Sequence, residues 1–176
     1  MSTNIEKSFT ARLQTQYGNL HVPRISYGQK TFIKRWYYEA FTFDAHVDVS
    51  NTLCVHPEAP ADQLRFHFRC IEDYYFIYLL TASHYHNYAI SNEHRDLISA
   101  FTDNADQTSY NLLDANNRIV TLDQLNGDTH NLKIQTRGGR KLSVRENSKV
   151  GGLVCTGKEG GQVLDFKLDI IKRGAK

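Results

Sequence analysis

The chain has 176 residues, 40% of them apolar and 23% charged, a size and balance that suit one globular domain with its own core and exclude a disordered or fibrous chain. Twenty-one basic against nineteen acidic side chains leave a net charge of +2, too small and too dispersed for a phosphate-tracking groove, so no nucleic-acid partner is expected. No run approaches the ~18 unbroken apolar residues of a membrane-spanning helix.

Short runs rich in β-branched and aromatic residues, each closed by Gly, Asn, Asp or Ser, read as strands joined by tight turns. In chain order they fall at 11–14, 19–22, 32–35, 41–45, 63–70, 74–81, 87–91, 97–101, 110–113, 119–122, 132–135, 141–144, 153–156 and 164–171. Alternation picks out one face in two of them: Leu132, Ile134 and Thr136 in one, and Leu164, Phe166, Leu168 and Ile170 in the other. Such alternation belongs to a half-buried sheet or barrel wall. The best helical window, 93–101, is too short and too closely flanked by Asn and Asp to carry a fold, so no helix beyond single turns is predicted. Pro57 and Pro60 place an irregular excursion in the stretch from Asp48 to Tyr74.

The N-terminal stretch MSTNIEKSFT lacks the apolar core of a secretion signal, which predicts a cytoplasmic protein or one exported without a recognisable signal peptide. Cys54, Cys70 and Cys155 form an odd set with no C-x-x-C pair, which predicts reduced, mostly buried thiols and argues against a disulfide framework or a zinc ribbon.

A repeat emerges when the segments beginning at Tyr85 and Gly138 are laid side by side. Leu97 and Leu153, Tyr110 and Phe166, and Leu112 and Leu168 are each 56 residues apart, whereas Tyr88 and Leu142, and Ile90 and Val144, are each 54 apart. A two-residue turn insertion reconciles the offsets. In a fainter first copy, Leu20, Phe32, Phe41 and Phe43 take the places of Tyr88, Ile98, Tyr110 and Leu112. A fixed period of this length is the mark of a repeat architecture.

The last copy, LKIQTRGGRKLSVRENSKVGGLVCTGKEGGQVLDFKLDII, and the middle one, IYLLTASHYHNYAISNEHRDLISAFTDNADQTSYNLLD, resemble the β-trefoils of the fascin and hisactophilin type over about two thirds of the chain. The resemblance implies an all-β single domain, residues 1–176, folded as a β-trefoil with pseudo-threefold repeats at about 9–47, 74–115 and 118–172 and an inserted segment after the first repeat, at about 48–73. Members of that superfamily include actin bundlers, lectins, protease inhibitors and cytokines, so it speaks for fold more than for function. The Q-x-W signature of ricin-type sugar-binding trefoils is missing; Asp165-Phe166-Lys167 and Ser109-Tyr110-Asn111 stand nearest to it.

Catalytic motifs fail on inspection. Gly152 to Lys158 matches the first part of a phosphate-binding loop, but Glu159 stands where a magnesium-binding Ser or Thr is needed, and a strand follows where a helix should. His84 and His86 are spaced to share a strand face, yet they lie in the turn-like SHYHN with no third ligand at useful spacing. DNADQTSYNLLD lacks the Gly and Glu of a calcium loop. No enzyme activity, cofactor or metal is therefore expected.

Aromatics on loops offer a flat apolar face with a polar edge, suited to a sugar ring or a partner side chain. Trp36 and Tyr37, in KRWYYEAF, form one candidate ligand-binding pair, and Tyr85 with His86 the other. The expected function is a non-enzymatic, lectin-like carbohydrate-binding module. The alternatives are a protein-binding trefoil, acting on actin or as a protease inhibitor, and a small-ligand β-barrel resembling a lipocalin; the partner is accordingly a carbohydrate or a protein.

Overall fold

A computed structural model describes residues 2–37, 43–60, 64–94, 96–102, 107–147, 150–156 and 161–176, with the side chains of 34–37, 43–46, 93–94 and 146–147 outside that description. In chain order the elements are α1 (Asn4–Lys7), β1 (Phe9–Thr15), β2 (Gly18–His21), α2 (Pro23–Tyr27), β3 (Phe32–Tyr37), β4 (Phe43–Asp48), β5 (Cys54–His56), β6 (Phe66–Ile71) and β7 (Tyr74–Leu79). There follow β8 (Ala89–His94), β9 (Leu97–Phe101), β10 (Tyr110–Leu113), β11 (Ile119–Val120), a 3-10 turn at Leu122–Gln124, β12 (Thr129–Thr136), β13 (Ser143–Asn147), β14 (Gly151–Cys155), β15 (Gln162–Val163) and β16 (Phe166–Arg173). With 51% strand and 8% helix the protein is all-β.

Both helices are single turns with local causes. Thr3 and Glu6 cap α1 reciprocally, each side chain taking the other's backbone N–H. Pro23 opens α2 and Gly28, at φ 69°, ends it in the left-handed conformation that a side chain resists.

Every strand pairing is antiparallel, and the pairings close on themselves: β1, β2, β5, β14, β9, β8, β7, β10, β12 and β16 follow one another in a ring that returns to β1, a ten-strand barrel. Closure covers strand edges that a flat sheet would leave open to a second chain. A shorter circuit lies within it, because β6 pairs with both β1 and β7; β1, β6, β7, β10, β12 and β16 are thereby linked head to tail. Three hairpin-like pairs stand on this six-strand circuit: β2 with β5, β8 with β9, and β13 with β14. They contact one another through β14–β5, β14–β9 and a bridge between Thr52 and Ser99.

The six-strand circuit is filled from within. Phe9 and Leu13 of β1, Phe66 and Phe68 of β6, Tyr75 and Ile77 of β7, Tyr110 and Leu112 of β10, Ile134 of β12, and Phe166 and Leu168 of β16 are all buried in one cluster. Each such side chain contributes about 1.5–3 kcal/mol by leaving water. Among the described residues these side chains form a packed core. Buried phenols stay satisfied: Tyr75 donates to the Lys7 carbonyl and accepts from the Leu122 amide, and Tyr110 donates to the Ile90 carbonyl. A second, smaller cluster of Ile33, Val49, Cys54, Leu97, Val150, Leu153 and Cys155 packs beneath the hairpins. None of the three cysteines is in a disulfide, and all are buried.

Two sequence expectations need correction. Residues 48–73, expected as an insertion, supply β5 and β6, both strands of the main sheet; β3 and β4 stand apart from it as a two-stranded sheet of their own. Phe43, matched above to Leu112, lies on β4, while the strand that pairs with β1 and β7 carries Phe66 and Phe68. An alternating hairpin has the same period as a barrel strand, so alternation alone could not separate them.

Candidate functional site

The wall formed by β6 and β7 differs from the outer faces of β1 and β12, where the outward positions are polar: Thr10, Arg12 and Gln14 on β1 and Thr129, Asn131 and Lys133 on β12. β7 reads YYFIYL: Tyr75, Ile77 and Leu79 point into the core, and Tyr74, Phe76 and Tyr78 form a second apolar row on the half-exposed outer face. Opposite them on β6 stand Ile71, Arg69 and His67, in register with Tyr74, Phe76 and Tyr78 respectively. Glu72 and Asp73 close the hairpin at φ 48° and 70°, the mirror-image turn that matches strand twist.

The rings on this wall are in contact. Tyr74 and Phe76 meet edge to face with centroids 5.7 Å apart, and the Arg137 guanidinium lies 4.2 Å over the centre of the Tyr74 ring. His67 lies 6.2 Å from Tyr78, tilted by 36°, and Tyr78 donates its hydroxyl proton to Gln107 at 2.8 Å, which fixes the ring.

Beyond Tyr78 the wall opens into a pocket of about 720 Å³ between β6–β7, α1 and the last residues of the chain. Ile5, 49% exposed, supplies an apolar flank. Asn4, His67, Arg69, Asn87 and Lys176 supply the polar groups. Asn87 is held in the left-handed conformation at φ 64°, its amide donating to the Leu79 carbonyl, so its side chain stands at the rim in a fixed place. Burial holds the His67 imidazole below its usual pKa, partly offset by a hydrogen bond to the backbone of Ala175. The combination is an aromatic face beside convergent amide, imidazole and cationic groups, which suits a ligand with both apolar faces and hydroxyl or acidic edges.

A second pocket, of about 480 Å³, lies on the outer face of β1, β12 and β16. Most of its polar groups are already engaged: Lys133 pairs with Asp165 at 2.9 Å, Gln16 bonds the backbone of Val163 and Asp165, and Asp114 holds Arg118 and its own turn. It offers a ligand less than the β6–β7 pocket does.

The sequence-predicted residues fare unequally. Trp36 and Tyr37 lie on β3, opposite Asp44 and Phe43, with side chains outside the described residues. Tyr85 does not form a surface platform: it is 6% exposed and belongs to the main core, its ring 5.3 Å from Tyr88 and 5.2 Å from His84. The loop folds back on itself through Asn87 to Leu79, Tyr88 to Tyr85 and His86 to Ser83 hydrogen bonds, which turns that ring inward. His86 is exposed and its Nδ1 is bound to the Leu80 carbonyl, so the two neighbours face opposite ways. His67, Arg69, Tyr74, Phe76 and Tyr78 were not singled out, although a strand apolar on both faces is the signal that marks them.

A Ser–His contact also occurs. His21 bonds the Val150 carbonyl through Nε2 at 2.9 Å, so Nε2 carries the proton and Nδ1 accepts from the Ser26 hydroxyl at 3.0 Å. The ring is only 1% exposed, and burial holds its pKa below the ordinary value. It ties α2 to the loop before β14 and cannot reach a substrate. Among the described residues there is no group of three or more His, Cys, Asp or Glu placed to hold a metal ion, and no helix is long and apolar enough to cross a membrane.

Comparison with known proteins finds no matching family model, no matching curated protein and no matching solved structure.

Proposed function

We propose that the domain is a β-trefoil that acts as a lectin-like carbohydrate-binding module through its β6–β7 wall. The trefoil reading is supported by the six-strand circuit carrying three mutually touching hairpins, and by Phe66, Tyr110 and Phe166, each buried at the start of the last strand of a copy. On that reading the first copy runs β1, β2, β5 and β6, with α2, β3 and β4 inserted between β2 and β5. Fold alone does not assign a ligand.

Carbohydrate binding rests on one observation: the outward row Tyr74, Phe76 and Tyr78 beside a pocket of amide and ring-nitrogen groups. A pyranose presents apolar C–H faces to aromatic rings and hydroxyls to amides, and this wall supplies both. Residues equivalent by repeat on β1 and β12 are polar, so the aromatic row is a local departure and not a demand of the core. A glycan array on the folded protein, run beside a Tyr78→Ala variant of unchanged circular dichroism, tests the reading. Binding that the variant loses supports it; silence toward every glycan removes it.

A second reading, a protein-binding trefoil of the cytoskeletal or inhibitory kind, draws on the β3–β4 hairpin, which stands outside the main sheet with Phe32 at its base 43% exposed. Co-sedimentation with actin filaments and a protease inhibition panel test it, and two blanks dismiss it.

A further inference from the structure

The charges around the β6–β7 pocket carry the site further than its aromatics do. Arg69 and Lys176 both line it, and among the described residues neither makes an ion pair. The Nε2 atom of His67, in the same lining, is buried with no hydrogen-bond partner among the described residues. No carboxylate side chain is among the lining groups. Of the carboxylates on the framing elements, Glu6 accepts from the Thr3 amide, Asp73 pairs with Lys7 at 2.5 Å, and Glu72, in the β6–β7 turn, is not among the lining groups. Two cationic side chains thus line one pocket with no side-chain carboxylate paired to either among the described residues, a set that the negative charge of a ligand would complement.

We propose that this pocket takes an acidic saccharide, one bearing a carboxylate or a sulfate, with the sugar ring against Tyr78 and the anionic group between Arg69 and Lys176. The inference rests on the carbohydrate reading above and adds a selectivity to it. Tyr78 and Ile5 give the ring its apolar contact. Arg69, planar and rigid, takes two anion oxygens at once, whereas Lys176 adds a point charge. Asn87 is left for a hydroxyl, and Asn4, whose Oδ1 accepts from the Glu72 amide at 3.3 Å, has its side-chain N–H groups to offer.

The experiment is direct binding of the full chain to three sets of oligosaccharides, neutral, uronate-bearing and sulfated, at two salt concentrations. The same panel is run on Arg69→Gln, Lys176→Gln and Tyr78→Ala. Arg69 and Lys176 are exposed, so their variants fold. The expected result is preference for acidic sugars, weakened about tenfold or more by Arg69→Gln and also weakened by Tyr78→Ala. Equal binding of neutral and acidic sugars, untouched by Arg69→Gln, overturns the acidic selectivity and leaves the carbohydrate reading standing. Binding of polyanions that vanishes at higher salt and ignores Tyr78→Ala marks charge attraction alone and overturns the proposal. Failure to bind any sugar overturns both readings.

Discussion

The rings of Phe9 and Phe68 lie parallel, 6° apart in plane with centroids 4.5 Å apart, across the seam where β1 meets β6. Tyr75 closes on both edge to face, at 5.5 and 6.1 Å. Replacing Phe68 by Ala leaves a hole bounded by two rings that their own strands hold in place. The expected loss is about 3–5 kcal/mol, read as a fall in the urea midpoint at constant slope. A loss under 1 kcal/mol would mean that the seam collapses freely, contrary to this packing.

Gly151 and Gly139 make a paired test of close approach. Both have positive φ, 85° and 89°, so Ala strains either backbone. A Cβ on Gly151 would stand 2.2 Å from the Val55 carbonyl oxygen, whereas one on Gly139 would meet nothing within 4 Å. Gly139→Ala should cost about 1 kcal/mol, and Gly151→Ala at least about 2 kcal/mol more, because the β14–β5 pairing must part to admit it. Thermal melts of the two variants decide the matter, and equal costs would contradict the close approach.

Stability should fall as pH drops below the ordinary histidine value near 6.5. His21 and His67 both have folded pKa values lowered by burial, so the unfolded chain takes up their protons first. Their contribution is intact above the unfolded value and is lost as pH falls through the folded ones. Urea midpoints at pH 7.5, 6.5 and 5.5 should descend, and His21→Gln should flatten the descent. An unchanged slope in that variant would remove His21 from the account.

Thiol chemistry offers a fourth check. Burial pushes the thiols of Cys54 and Cys70 up, so thiolate is scarce at neutral pH, and Cys155 is buried beside Cys54 in the second cluster. A disulfide reagent should find all three unreactive in the native protein and all three reactive in denaturant. Rapid labelling of any one in the native state would contradict its burial.

The strands that hold Tyr110, Leu112, Phe166 and Leu168 are legible in the sequence because packing enforces their spacing. Tyr110 and Phe166 begin β10 and β16, and Leu112 and Leu168 follow two residues on; all four are buried. The alternation of Leu164, Phe166, Leu168 and Ile170 likewise marks one inward face. Phe43 and Phe68 are not separable in the sequence, because the β3–β4 hairpin has the period of a barrel strand and only long-range pairing tells them apart. Tyr85 was misplaced for a different reason: in a polar turn such as SHYHN, composition predicts exposure, but a single large ring can fold under its own loop and gain more by burial than by display. The β6–β7 wall was passed over although YYFIYL contains it. Its two apolar faces look like a doubly buried strand until the structure shows Tyr74, Phe76 and Tyr78 half-exposed.

The pairing of β1 with β16 has a consequence for how the protein is made. Seven residues of the first barrel strand, Phe9 to Thr15, find partners between Phe166 and Arg173. A ribosome must therefore deliver β16 before β1 can be sealed along that side. Until then β1 has only β2 and β6 to hold it, and the nascent barrel stays open at a seam flanked by Phe9 and Phe166. Closure across so long a stretch of chain is slow, and the unsealed seam is the point at which a chaperone or a second nascent copy would first take hold.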